Sequence, residues 1–146
     1  MLERRGVMVS GAAAVCFYEV CPTVDQYCQL RLIAGLSEKA KEAAEMALPK
    51  TVFAVSGYHC CDLVAMGRIV GDGACHLQLC DIAVHPRLQR QGLGREVVLR
   101  LTAWLDKNLP PSAKVSLIAK GASNLLYAQY GFVPTAPAAI SMCRRC

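Results

Sequence analysis

The sequence predicts an α/β protein: one domain built on a mixed central sheet with helices on both faces. Its composition is that of a folded chain, since 54% of the 146 residues are hydrophobic and 18% are charged, enough for a sizeable core. Its patterned segments follow the order β-α-α-β-β-β-α-β-α-β. Strands separated by helices in this way form a sheet that is covered on both sides.

The first predicted strand lies within residues 7–20. There VSGAAAVCFYEV leads from small residues into aromatic and β-branched ones, which favour a strand. Two arginines at positions 4 and 5 precede a short apolar stretch, and this outline leaves a cleaved secretory signal as the alternative.

Residues 23–48 predict a helical pair. Thr23 and Gln26 have the spacing of a capping box, Gly35 ends the first helix, and Ser37 is the predicted cap of the second. The predicted inward face of the first helix is an apolar stripe of Val24, Cys28, Leu32 and Ile33.

Residues 51–146 carry the rest of the fold. TVFAVSG, DLVAMGRIVGDG and ACHLQLCDIAV predict three successive strands, and a long helix that stops before Pro110 comes next. KVSLIAK then predicts a strand, ASNLLYAQYGF a short helix, and the remaining residues one or two closing strands. The apolar stripe of the long helix is Leu93, Val97, Leu101, Trp104 and Leu105.

Charge and cysteine content narrow the function classes. The net charge is +5, with arginines at positions 87, 90 and 95, which suits an anionic small ligand better than a nucleic-acid groove. No segment approaches about 18 consecutive apolar residues, so no membrane-spanning helix is expected. Nine cysteines scattered through apolar segments predict reduced, small core residues of a cytoplasmic protein. We expect no metal site, although Cys143-x-x-Cys146 and the HCC at 59–61 leave zinc as the alternative.

The stretch VHPRLQRQGLG, residues 84–94, separates a predicted strand from a predicted helix. A helix that begins after glycines presents unpaired backbone N–H groups, and these donors together with the helix dipole favour a phosphate-bearing ligand. Gly92 allows close approach of the backbone, and Gly94 keeps the first turn clear. An ordinary strand-to-helix loop is the alternative. The stretch is neither a P-loop nor a dinucleotide fingerprint, because no Gly-Lys-Ser/Thr follows and G-x-G-x-x-G is absent.

The segment DIAVHPRLQRQGLG resembles the acetyl-coenzyme-A-binding segment of the GNAT N-acetyltransferases, whose pattern is Q/R-x-x-G-x-G/A. NLLYAQYGF is similar to the second motif of that family, and the predicted element order is also the family's. The resemblance implies that acetyl-CoA is the cosubstrate and that backbone groups of Ile82, Ala83 and Val84 hold its pantetheine and acetyl oxygen. The residues implied to hold the pyrophosphate are Gln89, Arg90, Gln91, Gly92, Leu93, Gly94 and Arg95, with Asn124 as a further cofactor contact.

The same resemblance implies the catalytic groups. Tyr127 matches the tyrosine that protonates the departing thiolate. Gln78 stands where histone acetyltransferases have a catalytic glutamate, and an amide is a poor base. Asp81 resembles an aspartate of the glucosamine-6-phosphate N-acetyltransferases and is the predicted acid/base residue, with a structural hydrogen-bonding role and a water chain as the alternatives.

Strand periodicity divides this segment between two faces. It predicts Gln78, Cys80 and Ile82 on one face, with Leu79, Asp81 and Ala83 on the other, unless a splay of the strand alters this locally.

Tyr27 and Arg31 are predicted to line the acceptor pocket, because the helical pair walls that pocket in the family, and the segment MGRIVGDG is predicted to place Arg68 near the same cleft. Solvated arginines are the alternative. The implied reaction is direct transfer of acetyl to a primary amine in a ternary complex. We expect a small acceptor, such as an amino sugar, aralkylamine, polyamine or amino-acid-like amine. A protein amino terminus or lysine as acceptor, a CoA-binding module without turnover, and a homodimer paired through closing strands stay open.

Overall fold

The computed structural model of the chain describes residues 5–7 and 14–146. Its strands are β1 (Arg5–Val7), β2 (Val15–Tyr18), β3 (Phe53–His59), β4 (Asp62–Gly71), β5 (His76–Val84) and β6 (Lys114–Ser116). Its α-helices are α1 (Val24–Ile33), α2 (Lys41–Ala47), α3 (Leu93–Asn108) and α4 (Asn124–Ala128), and 3₁₀ turns occupy Leu48–Lys50, Pro86–Leu88 and Gly121–Ser123.

The six strands form one mixed sheet, so the predicted fold class is confirmed. Their order across the sheet is β1-β2-β3-β4-β5-β6, with antiparallel pairing from β1 to β5. β6 pairs parallel to β5, after the crossover through α3 that a parallel pair requires. This pairing covers only His76–Gln78 of β5 and Lys114–Ser116 of β6, and β5 continues to Val84 beyond it.

Helices cover both faces of the sheet, as predicted. α3 packs on one face, where its buried stripe joins Phe17, Val55, Ile69 and Leu79 in a single apolar cluster. The predicted stripe of α3 is confirmed in Leu93, Val97, Leu101 and Leu105, all buried. α1 and α2 cover the opposite face, over a second cluster that contains Tyr27, Leu30, Ala44, Leu48, Met66 and Ala83.

The predicted inward face of α1 is wrong. The buried residues of this helix are Tyr27, Leu30 and Arg31, whereas Leu32 is 64% exposed and Ile33 41% exposed. Hydrophobic periodicity predicts that polar side chains face the solvent. Tyr27 and Arg31 instead face the sheet, where they form hydrogen bonds with Asp81. The capping box is confirmed in both of its bonds, Gln26 N–H to Thr23 Oγ1 and Thr23 N–H to Gln26 Oε1.

Two other expectations are wrong, and a third is confirmed in part. α2 begins after Ala40 with no side-chain cap, so the predicted cap at Ser37 is wrong. The hydroxyl and carbonyl oxygens of Ser37 instead accept hydrogen bonds from Arg31. No closing strand forms in residues 129–146, so that prediction is wrong. The predicted first strand is present as β2, while residues 8–13 of it lie outside the described residues.

The cysteines do not pack in the core as predicted. All nine are free thiols, and six of them are exposed. Within residues 5–7 and 14–146, no three His, Cys, Asp or Glu side chains are grouped as metal ligands would be. The described helices are too short or too polar to cross a membrane.

Candidate active site

The loop between β5 and α3 is fixed by its own hydrogen bonds. His85 Nδ1 accepts from the Arg87 backbone N–H at 3.2 Å, and Gln89 Nε2 donates to the Val84 carbonyl at 3.1 Å. Arg90 has a φ of +61°, in the left-handed region. These constraints bring the backbone sharply round into the first turn of α3.

The first turn of α3 forms an open cradle. Gly92 is the N-cap residue, with a φ of +89° and no side-chain cap, and the Glu96 N–H makes the first helical bond, to the Gly92 carbonyl at 3.0 Å. The preceding N–H groups of the turn therefore lack a helical carbonyl. A Cβ built at Gly92 meets nothing within 4 Å, and one built at Gly94 meets only Val84 Cγ2, at 3.7 Å. The cradle fits a phosphate group, which these donors and the helix dipole attract.

An opening in the sheet leads to this cradle. β5 and β6 pair at one end and then separate, and residues 117–120 form no strand. The β5 edge from Leu79 to Val84 therefore has no partner strand on that side within the described chain. Backbone groups of Ile82, Ala83 and Val84 line this free edge, just ahead of the loop.

β5 carries a bulge in the same stretch. Arg68 of β4 pairs with Cys80, but Met66 pairs with Ala83, so Asp81 and Ile82 together face the single residue between. Asp81 has a φ of +57°. The bulge corrects the predicted faces of β5, because Ile82 packs with Leu79 in the α3 cluster while Asp81 and Ala83 face α1.

Asp81 lies in a buried cluster with Tyr27, Arg31 and Arg68, which we call the Asp81 cluster. Its Oδ1 accepts from Arg31 Nη1, and its Oδ2 accepts from Arg68 Nε at 2.7 Å and from the Tyr27 hydroxyl at 2.9 Å. The side chains of Asp81, Arg31 and Arg68 are 8%, 6% and 7% exposed. Both carboxylate oxygens are therefore engaged, as in the hydrogen-bonding alternative for Asp81, while its catalytic role stays a prediction.

Each arginine of the cluster has a second anchor. Arg31 donates to the Ser37 carbonyl from Nε at 3.0 Å and from Nη2 at 2.7 Å, and Arg68 Nη1 donates to Thr51 Oγ1 at 2.6 Å. The two guanidinium carbons lie 5.7 and 5.4 Å from the centre of the Tyr27 ring. Burial and the neighbouring Asp81 carboxylate raise the pKa of Tyr27 to about 12.

Tyr127 is buried on α4, with the residue 9% exposed. Its ring packs edge-to-face against Phe132 at 6.3 Å, and burial raises the pKa of its hydroxyl. Phe132 in turn packs against the cluster beneath α3. Asn124 is exposed at the first residue of α4.

Comparison with known proteins decides the family. The acetyltransferase (GNAT) domain family matches residues 51–134, more than half of the chain. The chain belongs to the GNAT acetyltransferase family. A crystal structure of a Staphylococcus aureus protein of unknown function, described as a probable acetyltransferase, is 37% identical with a TM-score of 0.87, over 90% of this chain and 99% of that one.

The chain is also similar to one further relative in sequence and to one further solved structure in fold. Mycothiol acetyltransferase from Corynebacterium efficiens is 36% identical over 84 residues, and the match spans 55% of this chain but only 26% of that protein. A GNAT-family acetyltransferase from Streptococcus pneumoniae has a TM-score of 0.73 at 20% identity, over 90% of this chain and 97% of that one, and shares the fold.

Sequence reasoning on this GNAT chain missed one cleft. A cavity of about 390 Å³ lies between α1, the β3–β4 turn and the residues after β5. Its polar lining includes Gln26, Gln29, His59, Asp62 and His85. The predicted acceptor residues Tyr27, Arg31 and Arg68 are instead buried in the Asp81 cluster. Gln26 and Gln29 are one turn of α1 apart, which is the only signal that the sequence offers for this cleft.

Removal of the Tyr27 hydroxyl tests the cluster of this GNAT protein through its pH dependence. Because the folded-state pKa of about 12 lies above the ordinary value of 10, this group stabilises the fold fully below pH 10 and loses that contribution as pH rises toward 12. We expect Tyr27→Phe to lower the free energy of unfolding by about 1 kcal/mol at pH 8, and by less as the pH rises above 10. Urea unfolding of both proteins from pH 8 to 11 measures this difference. An equal difference at every pH would contradict the assigned contact.

Proposed function

We propose that this GNAT protein transfers the acetyl group of acetyl-CoA to a small primary amine, by direct attack of the amine in a ternary complex. One observation carries the proposal: the edge of β5 that β6 leaves free ends at Val84, directly ahead of the loop that forms the glycine cradle at the start of α3. An extended thioester cofactor with a pyrophosphate has the shape to lie along the free edge of β5 and the charge to bind at the cradle.

The cofactor contacts follow from the same two features. The N–H groups of the α3 first turn and the loop residues Gln89–Arg95 would hold the pyrophosphate, with the exposed arginines 90 and 95 adding positive charge. The free edge of β5 at Ile82–Val84 would hold the pantetheine and the acetyl oxygen. Acetyl-CoA supplies an acetyl group already activated as a thioester.

Tyr127 is the proposed proton donor to the departing thiolate. Because burial raises the pKa of this tyrosine above its ordinary value of 10, it keeps its proton at neutral pH. A thiolate that leaves a tetrahedral intermediate needs a proton at that moment, and a positioned neutral phenol can give one.

The amine must also lose a proton, because an alkylamine has a pKa of about 10 and is mostly protonated at neutral pH. Asp81 is badly placed to accept that proton, since two guanidinium groups and a phenol occupy its oxygens. Gln78 cannot act as a base. We propose that water carries the proton away and that Asp81 has a different role.

The cleft of about 390 Å³ beside α1 is the proposed acceptor site, and its volume suits a small molecule. It borders His85, the residue that follows the free edge of β5. The charged side chains of its lining are Asp62 and Arg87, and the exposed Asp62 carboxylate is the one that can attract an ammonium group.

Asp62→Asn tests this acceptor site. We expect the KM of the amine to rise severalfold, because the attracting carboxylate is gone, while the KM of acetyl-CoA and the melting temperature stay the same. Steady-state kinetics with each substrate varied in turn measures both constants. Glu42→Gln, an exposed change on α2 outside the cleft, is the matched control. An unchanged amine KM in Asp62→Asn would exclude this cleft.

The function itself is tested by calorimetry with acetyl-CoA, followed by detection of free thiol with a panel of amines. Binding with thiol release for small amines supports the proposal. Release with peptide amino termini or lysine alone would indicate a protein acetyltransferase. Binding without release for any amine would indicate a CoA-binding module.

A further inference from the structure

Asp81 has a backbone conformation that a strand residue rarely adopts. Its φ of +57° lies in the left-handed region, where an L-residue inside a strand is strained and persists only if its surroundings hold it there. Aspartate and asparagine tolerate this region better than most residues. The strain is located at the bulge, directly before the free edge of β5.

The bulge changes which residues reach each face of the sheet. A regular strand would direct Asp81 into the α3 cluster beside Leu79, where a carboxylate would lack partners. The extra residue instead turns Asp81 toward α1 and puts the Ile82 side chain into the α3 cluster. Gly67 of β4 makes room for it, since a Cβ there would lie 2.7 Å from Ile82 Cδ1 and 2.6 Å from Val97 Cγ1.

Three side chains from two other elements hold the Asp81 carboxylate against this strain. Tyr27 and Arg31 reach the carboxylate from α1, and Arg68 reaches it from β4. The second anchors of the arginines, Ser37 between α1 and α2 and Thr51 ahead of β3, keep the donors in place. Buried, doubly anchored donors of this kind fix the carboxylate, and with it the φ of the residue that carries it.

We propose that Asp81 is a positioning residue: its contacts with Tyr27, Arg31 and Arg68 hold the bulge of β5 and so set where the backbone of Ile82–Val84 lies against acetyl-CoA. This inference rests on the proposed function for the location of the cofactor. It assigns Asp81 an effect on cofactor binding and no proton transfer with the amine.

Two substitutions on opposite faces of the bulge test the inference. Asp81→Asn keeps tolerance of the left-handed region but removes the charge that orders the arginines. Gly67→Ala changes none of the four side chains of the Asp81 cluster, and its Cβ would press on Ile82 and, on α3, on Val97 and Leu101. Both are expected to raise the KM and the dissociation constant of acetyl-CoA at least fivefold, to lower kcat by less than fivefold, and to leave the pH profile of kcat unchanged.

Asp25→Asn is the matched control. Asp25 also forms an ion pair from α1, with Lys41 at 2.9 Å, but both side chains are largely exposed and neither belongs to the Asp81 cluster. This variant is expected to keep wild-type constants. If Asp81→Asn fails to fold, Gly67→Ala alone carries the test of cofactor affinity.

Loss of kcat by a hundredfold or more in Asp81→Asn, together with a missing limb of its pH profile and a normal Gly67→Ala, would overturn the inference and make Asp81 the base. An unchanged KM and dissociation constant of acetyl-CoA in both variants would also overturn the inference. If the wild type binds no acetyl-CoA, the proposed function fails, and amide hydrogen exchange decides the role of the cluster. If the β5 amide hydrogens exchange faster in Asp81→Asn than in Asp25→Asn, the cluster holds the bulge in place. Equal exchange rates in the two variants would refute this.

Discussion

Tyr127→Phe is expected to lower kcat about a hundredfold while the dissociation constant of acetyl-CoA stays within twofold of wild type. A positioned general acid contributes about 10²–10⁴ in rate, and phenylalanine fills the same buried space without the proton. The ring contact with Phe132 is preserved, so the fold has little reason to change. Single-turnover kinetics, with calorimetry for the cofactor, separates the chemical step from binding.

The control for Tyr127→Phe is Tyr130→Phe. Tyr130 lies in the turn after α4, and its hydroxyl is 3.5 Å from the Arg95 carbonyl, a distance at which little is lost on removal. This variant should keep kcat. Because burial raises the pKa of Tyr127 above its ordinary value, its ionisation should not reduce the rate at neutral pH. A Tyr127→Phe protein with wild-type kcat would remove this residue from the mechanism.

Gly94→Glu is expected to weaken acetyl-CoA binding at least tenfold, about 1.4 kcal/mol. The substitution puts a carboxylate into the cradle that attracts the pyrophosphate. Gly94 is the sharper choice than Gly92, because its φ is not in the left-handed region, whereas the φ of +89° at Gly92 would strain any replacement. Calorimetry on both proteins measures the change in the dissociation constant.

Gly94→Ala is the control for the carboxylate. Its Cβ meets only Val84 Cγ2 at an ordinary 3.7 Å, so binding should change little. Both substitutions replace glycine in a helix, and a glutamate suits the first turn, so neither variant should be less stable than wild type. Weak binding by Gly94→Glu therefore could not be attributed to unfolding. Full binding by Gly94→Glu would show that the cradle holds no phosphate.

Local signals in the sequence predicted most of the fold. The stripe of α3, the capping box at Thr23 and the β3–β4 hairpin depend on residues close together in the chain, and the structure has them where the sequence indicates. The loop ahead of α3 also lies where the sequence indicates, because Gly92 and Gly94 mark the junction between a strand and a helix.

Long-range partners account for what the sequence could not predict. Periodicity alone cannot show that Tyr27 and Arg31 point inward, since the carboxylate that accepts their hydrogen bonds is 54 and 50 residues away. The bulge at Asp81 is equally hidden, because it depends on Gly67 in the neighbouring strand. Serine is a common helix cap, but Ser37 accepts hydrogen bonds from Arg31 and lies ahead of the first turn of α2.

The acceptor cleft was missed for a similar reason. Its lining comes from three separate segments, and Asp62 and His59 carry no motif that connects them to α1. The cytoplasmic location, the homodimer and the single-domain organisation of residues 1–146 stay predictions.

The sheet is ordered across space as its strands are ordered along the chain, and this bears on biosynthesis. As the chain leaves the ribosome, each strand from β2 to β5 finds its neighbour in the sheet already made. Mostly sequential pairing keeps contacts local, which favours rapid folding with little exposure of bare sheet edges. Only β6 joins late, after α3 has crossed the sheet. The last strand to arrive is therefore the one that borders the opening for the cofactor.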